Sequence, residues 1–434
     1  MADVAETLPA ARRTPQPRAT AAAADVALTP EERRAARAEL RRNRLMAFLL
    51  VGPLLIFLTF AFIAPIATML FRAVHSPAVA ELIPGTLEQL SEWDGQGIPD
   101  EVIRTQFAVD LRQLFAERRS GRLGEEINRV MPGASSVIQG SARRLNAEDA
   151  EEVAARGAEM LGSLNAAWEQ PAIWRALQSA GRVYTERFFL TALDLERTPE
   201  GNIQARTSAR IYIDLYIKTL RMALTITLLT VVLGYPLAFF LVHQPAARAN
   251  LLIILVLLPF WTSLLVRTTA WIALLQTNGV VNATLMALGV IGEPMTLLYT
   301  EFATVLAMTH ILLPFMVLPL YSVMKGIDPS YMRAAMSMGA RPIRAWWSVY
   351  LPASLPGLSA GAMLVFIISV GYYITPALVG GTDGQMISNL IAFHMQQSNN
   401  WGLAAALGSL LLALILVIYY VFDRFVGASN IKLG

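Results

Sequence analysis

The stretch Gly326-Ile-Asp-Pro-Ser-Tyr-Met-Arg-Ala-Ala-Met-Ser-Met-Gly-Ala-Arg-Pro-Ile-Arg-Ala-Trp-Trp-Ser-Val-Tyr-Leu-Pro-Ala-Ser-Leu-Pro356 reads as helix, break, helix. Asp328 suits an N-cap and Pro329 the first helical position, Gly339 suits the left-handed residue that ends a helix, and Pro342 starts another. Pro352 and Pro356 then lead onward, and Ala334, Ala335 and Ala340 keep the turn slim. On either side lie apolar runs, Phe302–Met324 and Leu355–Leu378, each long enough to cross a membrane. A short capped polar helix between two such runs is a projection from a membrane protein.

Working outward, the whole chain agrees. Of 434 residues, 55% are hydrophobic and 15% charged, and the mean hydropathy is +0.48, more apolar surface than a soluble globule buries. Runs of roughly 20 apolar residues, the length that crosses about 30 Å of hydrocarbon, occur six times: Leu45–Leu70, Met222–Val242, Leu251–Leu275, Phe302–Met324, Leu355–Leu378 and Trp401–Phe422. The first run is too long for a signal core and has 44 residues before it, so it is expected to remain as a helix. Cysteine is absent and there are four histidines, which leaves no disulfide, no thiolate metal site and little for zinc. The net charge of +3 comes from basic residues beside apolar runs, which points to lipid and not to nucleic acid.

Arginine and lysine in the short loops set the orientation. The first 44 residues hold nine, and 243–250, 325–352 and 423–434 hold one, four and two, whereas 276–301 and 379–400 hold none. Both termini and the segment 325–352 are therefore expected in the cytoplasm, and the long segment 71–218 outside. This divides the chain into a tail 1–44, a first transmembrane helix 45–70, an extracytoplasmic insert 71–218 and a five-helix core 219–434. The tail starts as an Ala/Pro/Arg-rich stretch without periodicity. It then becomes a basic, lipid-facing helix from Glu31 to Arg44, with Thr29, Pro30 and Glu32 as a capping box. The insert carries 17 basic and 21 acidic residues and reads as soluble. Ile103, Phe107, Leu111 and Phe115 mark one helical face, Ser141–Leu177 is helix-prone, and the expectation is a mainly helical cap with no catalytic constellation.

Arg333-Ala334-Ala335, Gly339-Ala340, Trp346, Val349 and Leu351-Pro352 together resemble the EAA loop of ATP-binding-cassette importer permeases. That resemblance implies an all-α polytopic fold of the type I importer permease kind, with Arg333, Ala334, Ala335, Gly339, Ala340, Leu351 and Pro352 forming a coupling helix that docks on an ATPase. It also implies the partners: a second permease, two nucleotide-binding ATPase subunits that carry ATP and Mg, and an extracytoplasmic solute-binding protein, all at a bacterial inner membrane. One departure is present. Arg333 stands where the family has a leading glutamate, which leaves open any salt bridge from that residue to the ATPase. Pro259-Phe-Trp-Thr-Ser-Leu-Leu-Val-Arg-Thr-Thr-Ala-Trp271 followed by Asn278-Gly279 is similar to the third span of polyamine-type permeases. The solute implied is small and organic, a polyamine or a related amine or zwitterion.

No GxxxxGK[ST] loop occurs, so no cofactor and no catalytic residue is assigned to this chain and ATP hydrolysis falls to another. Gly357-Leu-Ser359-Ala-Gly361 matches GxSxG but opens a membrane helix. His310, the only membrane histidine, lies at a different depth, roughly 12 Å from the outer end of its span against about 6 Å from the inner end for Ser359. Arg267 is the one charge well inside a span, and it either faces a cavity or snorkels to the interface. Trp261, Thr262, Ser263, Tyr372 and Tyr373 join it as candidate lining of a substrate path, with aromatic-belt and packing roles as the alternative. A self-sufficient channel or facilitator is the alternative for the whole chain.

Overall fold

The computed structural model describes residues 30–197, 202–206 and 210–426. The residues before Pro30, and with them the Thr29 capping box and the aperiodic tail, lie outside those described. Among the described residues five helices are long and apolar enough to cross a membrane: Met46–Arg72, Tyr212–Val242, Glu301–Lys325, Pro342–Gly371 and Trp401–Arg424. A bent pair, Ala246–Trp261 and Leu264–Ala287 at 93° to each other, passes the same test of length and composition only when taken together, as a broken span or a re-entrant loop. Among the described residues the only paired strands are Leu195–Arg197 and Ile203–Ala205, antiparallel.

Three of the expected spans differ in the structure. The second span, expected from Met222, already starts at Tyr212. The run 251–275 is not one helix, because Pro259 withholds a backbone N–H and the Ser263 hydroxyl accepts from Val266 N at 3.2 Å, starting a new helix at Leu264. The fifth span starts at Pro342, not Leu355, and ends at Gly371, not Leu378. Pro352 and Pro356 do not delay it, since the turn Trp346–Tyr350 widens to a π-helix in which Leu351 N reaches back to Trp346 O. The same device precedes Pro65, where Thr59–Ile63 is a π-turn closed by Ala64 N on Thr59 O. A widened turn makes room for the proline ring that would clash with the carbonyl four residues back.

The chain divides after Ile66 into two compact units. In the first, one helix runs from Pro30 to Leu58, so the basic stretch and the start of the first span are continuous. Its large apolar side chains, Leu50 and Phe60 among them, are exposed.

In the second unit, the helices Tyr212–Val242, Glu301–Lys325 and Pro342–Gly371 form the centre of the membrane part. Ile226, Met308, Leu312, Met316, Leu320 and Val365 are buried between them. Glycine lets them approach: a Cβ on Gly234 would sit 2.8 Å from Met316 Cγ, and one on Gly361 2.9 Å from Met316 Sδ. Small residues at helix contacts are the usual way in which membrane helices gain packing that lipid does not supply.

The same unit carries the segment between the first two long helices, which has its own core. Glu101–Ala116 buries Ile103, Phe107, Leu111 and Leu114, with Phe115 only partly covered. Phe107, Trp168 and Trp174 pack tilted or edge-on with ring centroids 5.0–5.5 Å apart, and Trp168 Nε1 donates to Ser141 Oγ at 2.9 Å. Arg129, held at 2.6 Å by Glu126, donates to the carbonyls of Ser398 and Asn399, each at 3.2 Å. That contact ties the segment to the start of the Trp401–Val426 helix.

Candidate functional site

The segment after Lys325 follows the capping grammar of its sequence. Asp328 accepts from Ser330 N at 2.7 Å, Pro329 opens the helix Pro329–Ser337, and Gly339 takes φ +91°. Gly339 N donates to Met336 O at 3.0 Å and Ala340 N to Ala335 O at 3.1 Å, which satisfies carbonyls at the helix end. The hydrogen bonds from Ser330, first from its backbone and then from its side chain, hold the Asp328 carboxyl below the usual carboxylate range, with Arg333 adding to the effect. The cap therefore contributes stability above the ordinary aspartate pKa and loses it as pH falls through the lowered one.

One residue of the set is turned the other way. Ala335 is not at the exposed tip but buried, because the short helix lays that face on the turn Trp346–Tyr350. Ala334, Arg333 and Gly339 are exposed and Ala340 is half-buried. The outward apolar surface comes from residues that the motif did not single out: Tyr331, Met338 at 83% exposure and Ile343 at 75%. Their signal was present in the sequence as apolar side chains flanking the small ones. Leu351 and Pro352 lie in the continuing helix, Leu351 half-buried and Pro352 exposed.

The path candidates gather at two broken helices. Trp261 ends the Ala246–Trp261 helix at 86% exposure, and Thr262 and Ser263 form the 93° elbow. Arg267, one turn further, folds back to donate to Thr262 O at 3.0 Å, with its Nε 3.4 Å from Thr262 Oγ1. The fifth span unwinds at Tyr372 before the short helix Ile374–Val379. Ser388 Oγ donates to Tyr372 O at 2.6 Å and Asn389 Nδ2 to Tyr373 O at 2.8 Å, so the carbonyls freed by the break are satisfied. Buried Thr268 and Thr375 meet at 3.4 Å and join the two breaks.

Sequence reading missed Thr268, Thr375 and the contact of Trp271 Nε1 with His310 Nδ1 at 3.3 Å. Trp271 follows Arg267 by four residues, which puts both on one helical face. Ser359 donates to Pro356 O at 3.1 Å inside a continuous helix, so the GxSxG match forms no strand-to-helix elbow.

Non-helical backbone satisfied by its neighbours at two spans, together with a capped helix projecting between two others, defines a polytopic membrane subunit built for transport. Residues 222–429 match the family model described as binding-protein-dependent transport system inner membrane component. The chain is 34% identical over 223 residues to the spermidine/putrescine transport system permease protein PotB of Salmonella typhimurium, covering 51% of this chain and 78% of that one. It is 31% identical over 250 residues to the inner membrane ABC transporter permease protein YdcU of Escherichia coli, 54% and 78% of the two chains. A solved chain of a bacterial ABC transporter involved in the import of the acidic polysaccharide alginate is 18% identical, with a TM-score of 0.39 over 50% of this chain and 86% of that one. The chain belongs to the family of binding-protein-dependent transport system inner membrane components. It is a permease subunit of an ABC importer, a multi-pass inner-membrane protein. Its relatives are transport components and not enzymes, and membership implies a solute-binding protein and ATPase partners.

Proposed function

We propose that the chain forms one side of a path for a small organic amine or zwitterion, and that the segment 325–352 passes the work of an ATPase to it. The observation that carries this reading is the helix Pro329–Ser337, capped at Asp328 and ended at Gly339, with Tyr331, Met338 and Ile343 exposed beside it. A rigid, small-faced helix with unpartnered apolar side chains suits the groove of another subunit. In the assembly that we infer, a second permease completes the path, two ATPase subunits bind ATP and Mg, and an extracytoplasmic protein delivers the solute. Both termini and the segment 325–352 face the cytoplasm and the helical insert faces outward, as the basic residues of the short loops favour.

The amine class comes from the name of one relative, PotB, which is described as a spermidine/putrescine permease. Arg267 places a fixed cation at the elbow beside Thr262, which suits the carboxylate of a zwitterion at that point. Recognition of a bare polyamine then belongs to the binding protein or the partner permease. Reconstitution of the full complex in proteoliposomes tests the reading. Uptake of labelled putrescine or of a zwitterionic amino acid derivative is expected only when ATP is supplied on the ATPase side and the binding protein on the other. Uptake at the same rate without ATP would contradict it.

A further inference from the structure

A cavity of about 600 Å³ opens where the insert meets the membrane part, and five arginines line it: Arg129, Arg182, Arg187, Arg197 and Arg206. Two glutamates, Glu186 and Glu196, share the lining. They do not balance it. Glu186 pairs with Arg197, Glu196 accepts from Gln204, and Arg129 is held by Glu126. Among the described residues Arg182, Arg187 and Arg206 pair with no carboxylate.

Arg187 is the most telling of the three. Its guanidinium lies over the Phe188 ring at 5.0 Å, and its Nη1 is buried without a hydrogen-bond partner. Burial pushes its pKa down, with Arg129 nearby adding to that and only the already engaged Glu126 opposing it. A buried guanidinium with an idle donor is costly unless an acceptor of negative charge arrives. The planar donors of arginine match the oxygens of phosphate better than any neutral group does. The cavity also sits at a particular level in the chain. Val74, in its wall, is two residues past the Arg72 end of the first long helix, and Arg206 is six residues before the Tyr212 start of the second.

We propose that this cavity is a binding site for a phosphate ester anion, with Arg182, Arg187 and Arg206 as its ligands. The phosphate comes either from the headgroup of an anionic phospholipid at the membrane surface or from a soluble phosphate. The site stands apart from the solute path and does not rest on the import reading.

The test is a thermal unfolding titration of the purified full-length chain in a zwitterionic detergent, with short-chain phosphatidylglycerol, short-chain phosphatidylcholine or inorganic phosphate as the added probe. A saturable rise in Tm with phosphatidylglycerol alone assigns the site to lipid. A rise with inorganic phosphate that phosphatidylglycerol does not exceed assigns it to a soluble anion. Either supports the site, provided that the double variant R182Q/R206Q weakens the apparent affinity by roughly tenfold or more. The variant R187M is expected to abolish the shift, and if it does not fold the double variant decides alone. No shift with either anion, or an unchanged affinity in the double variant, overturns the proposal.

Discussion

Gly339 is the residue on which the projecting helix turns. At φ +91° it closes two backbone hydrogen bonds, and the space around its missing Cβ is empty, so conformation and not crowding requires glycine. A β-branched side chain there costs about 1–3 kcal/mol in backbone strain. Gly339→Val is expected to lower the solute moved per ATP hydrolysed while the chain still inserts, measured in the reconstituted complex; unchanged coupling would mean that the turn geometry is not what transmits force. The Asp328 cap and the Gly339 turn were both legible, because capping chemistry is local and depends on residue type. The burial of Ala335 was not. Which side of a nine-residue helix faces its own chain is settled by the π-turn it lies on, and no local pattern in the helix reports that.

At the scale of elements, the breaks in the third and fifth spans bring Thr262, Arg267 and Tyr372 into one neighbourhood. If Arg267 serves the path, Arg267→Ala is expected to reduce uptake roughly tenfold or more, a loss of the order of one charge-assisted contact, with assembly and basal ATP hydrolysis retained. Normal uptake at normal membrane levels would leave it as a helix-end brace for Thr262. Hydropathy could not show either break. It counts apolar residues and is blind to the N–H that Pro259 lacks or to the hydroxyl of Ser263 that caps a new start. It misled in the opposite sense at Pro352, which looked like a boundary and instead lies in a helix that widens by one residue at Trp346–Tyr350. The face Ile103, Phe107 and Leu111 was readable from spacing alone, since an amphipathic helix repeats its buried side every three to four residues.

For the whole molecule, the clamp from Arg129 to the carbonyls of Ser398 and Asn399 links groups about 270 residues apart, and nothing in the sequence marks it. The short loops differ sharply in basic residues, so the orientation they favour is open to a direct test. Reporter fusions at Asn250 and Arg341 are expected to read cytoplasmic, and fusions at Ala150, Val290 and Gly384 external; a cytoplasmic signal at Ala150 would invert the assembly. The central claim is that the segment 325–352 touches the ATPase, and disulfide cross-linking tests it most directly because the chain has no cysteine of its own. A cysteine at the exposed Met338 is expected to cross-link to single cysteines placed along the surface of the ATPase subunit in the assembled complex, whereas one at the buried Ala335 is not. Cross-linking at neither position, in a complex that still imports its solute with ATP, would contradict the account.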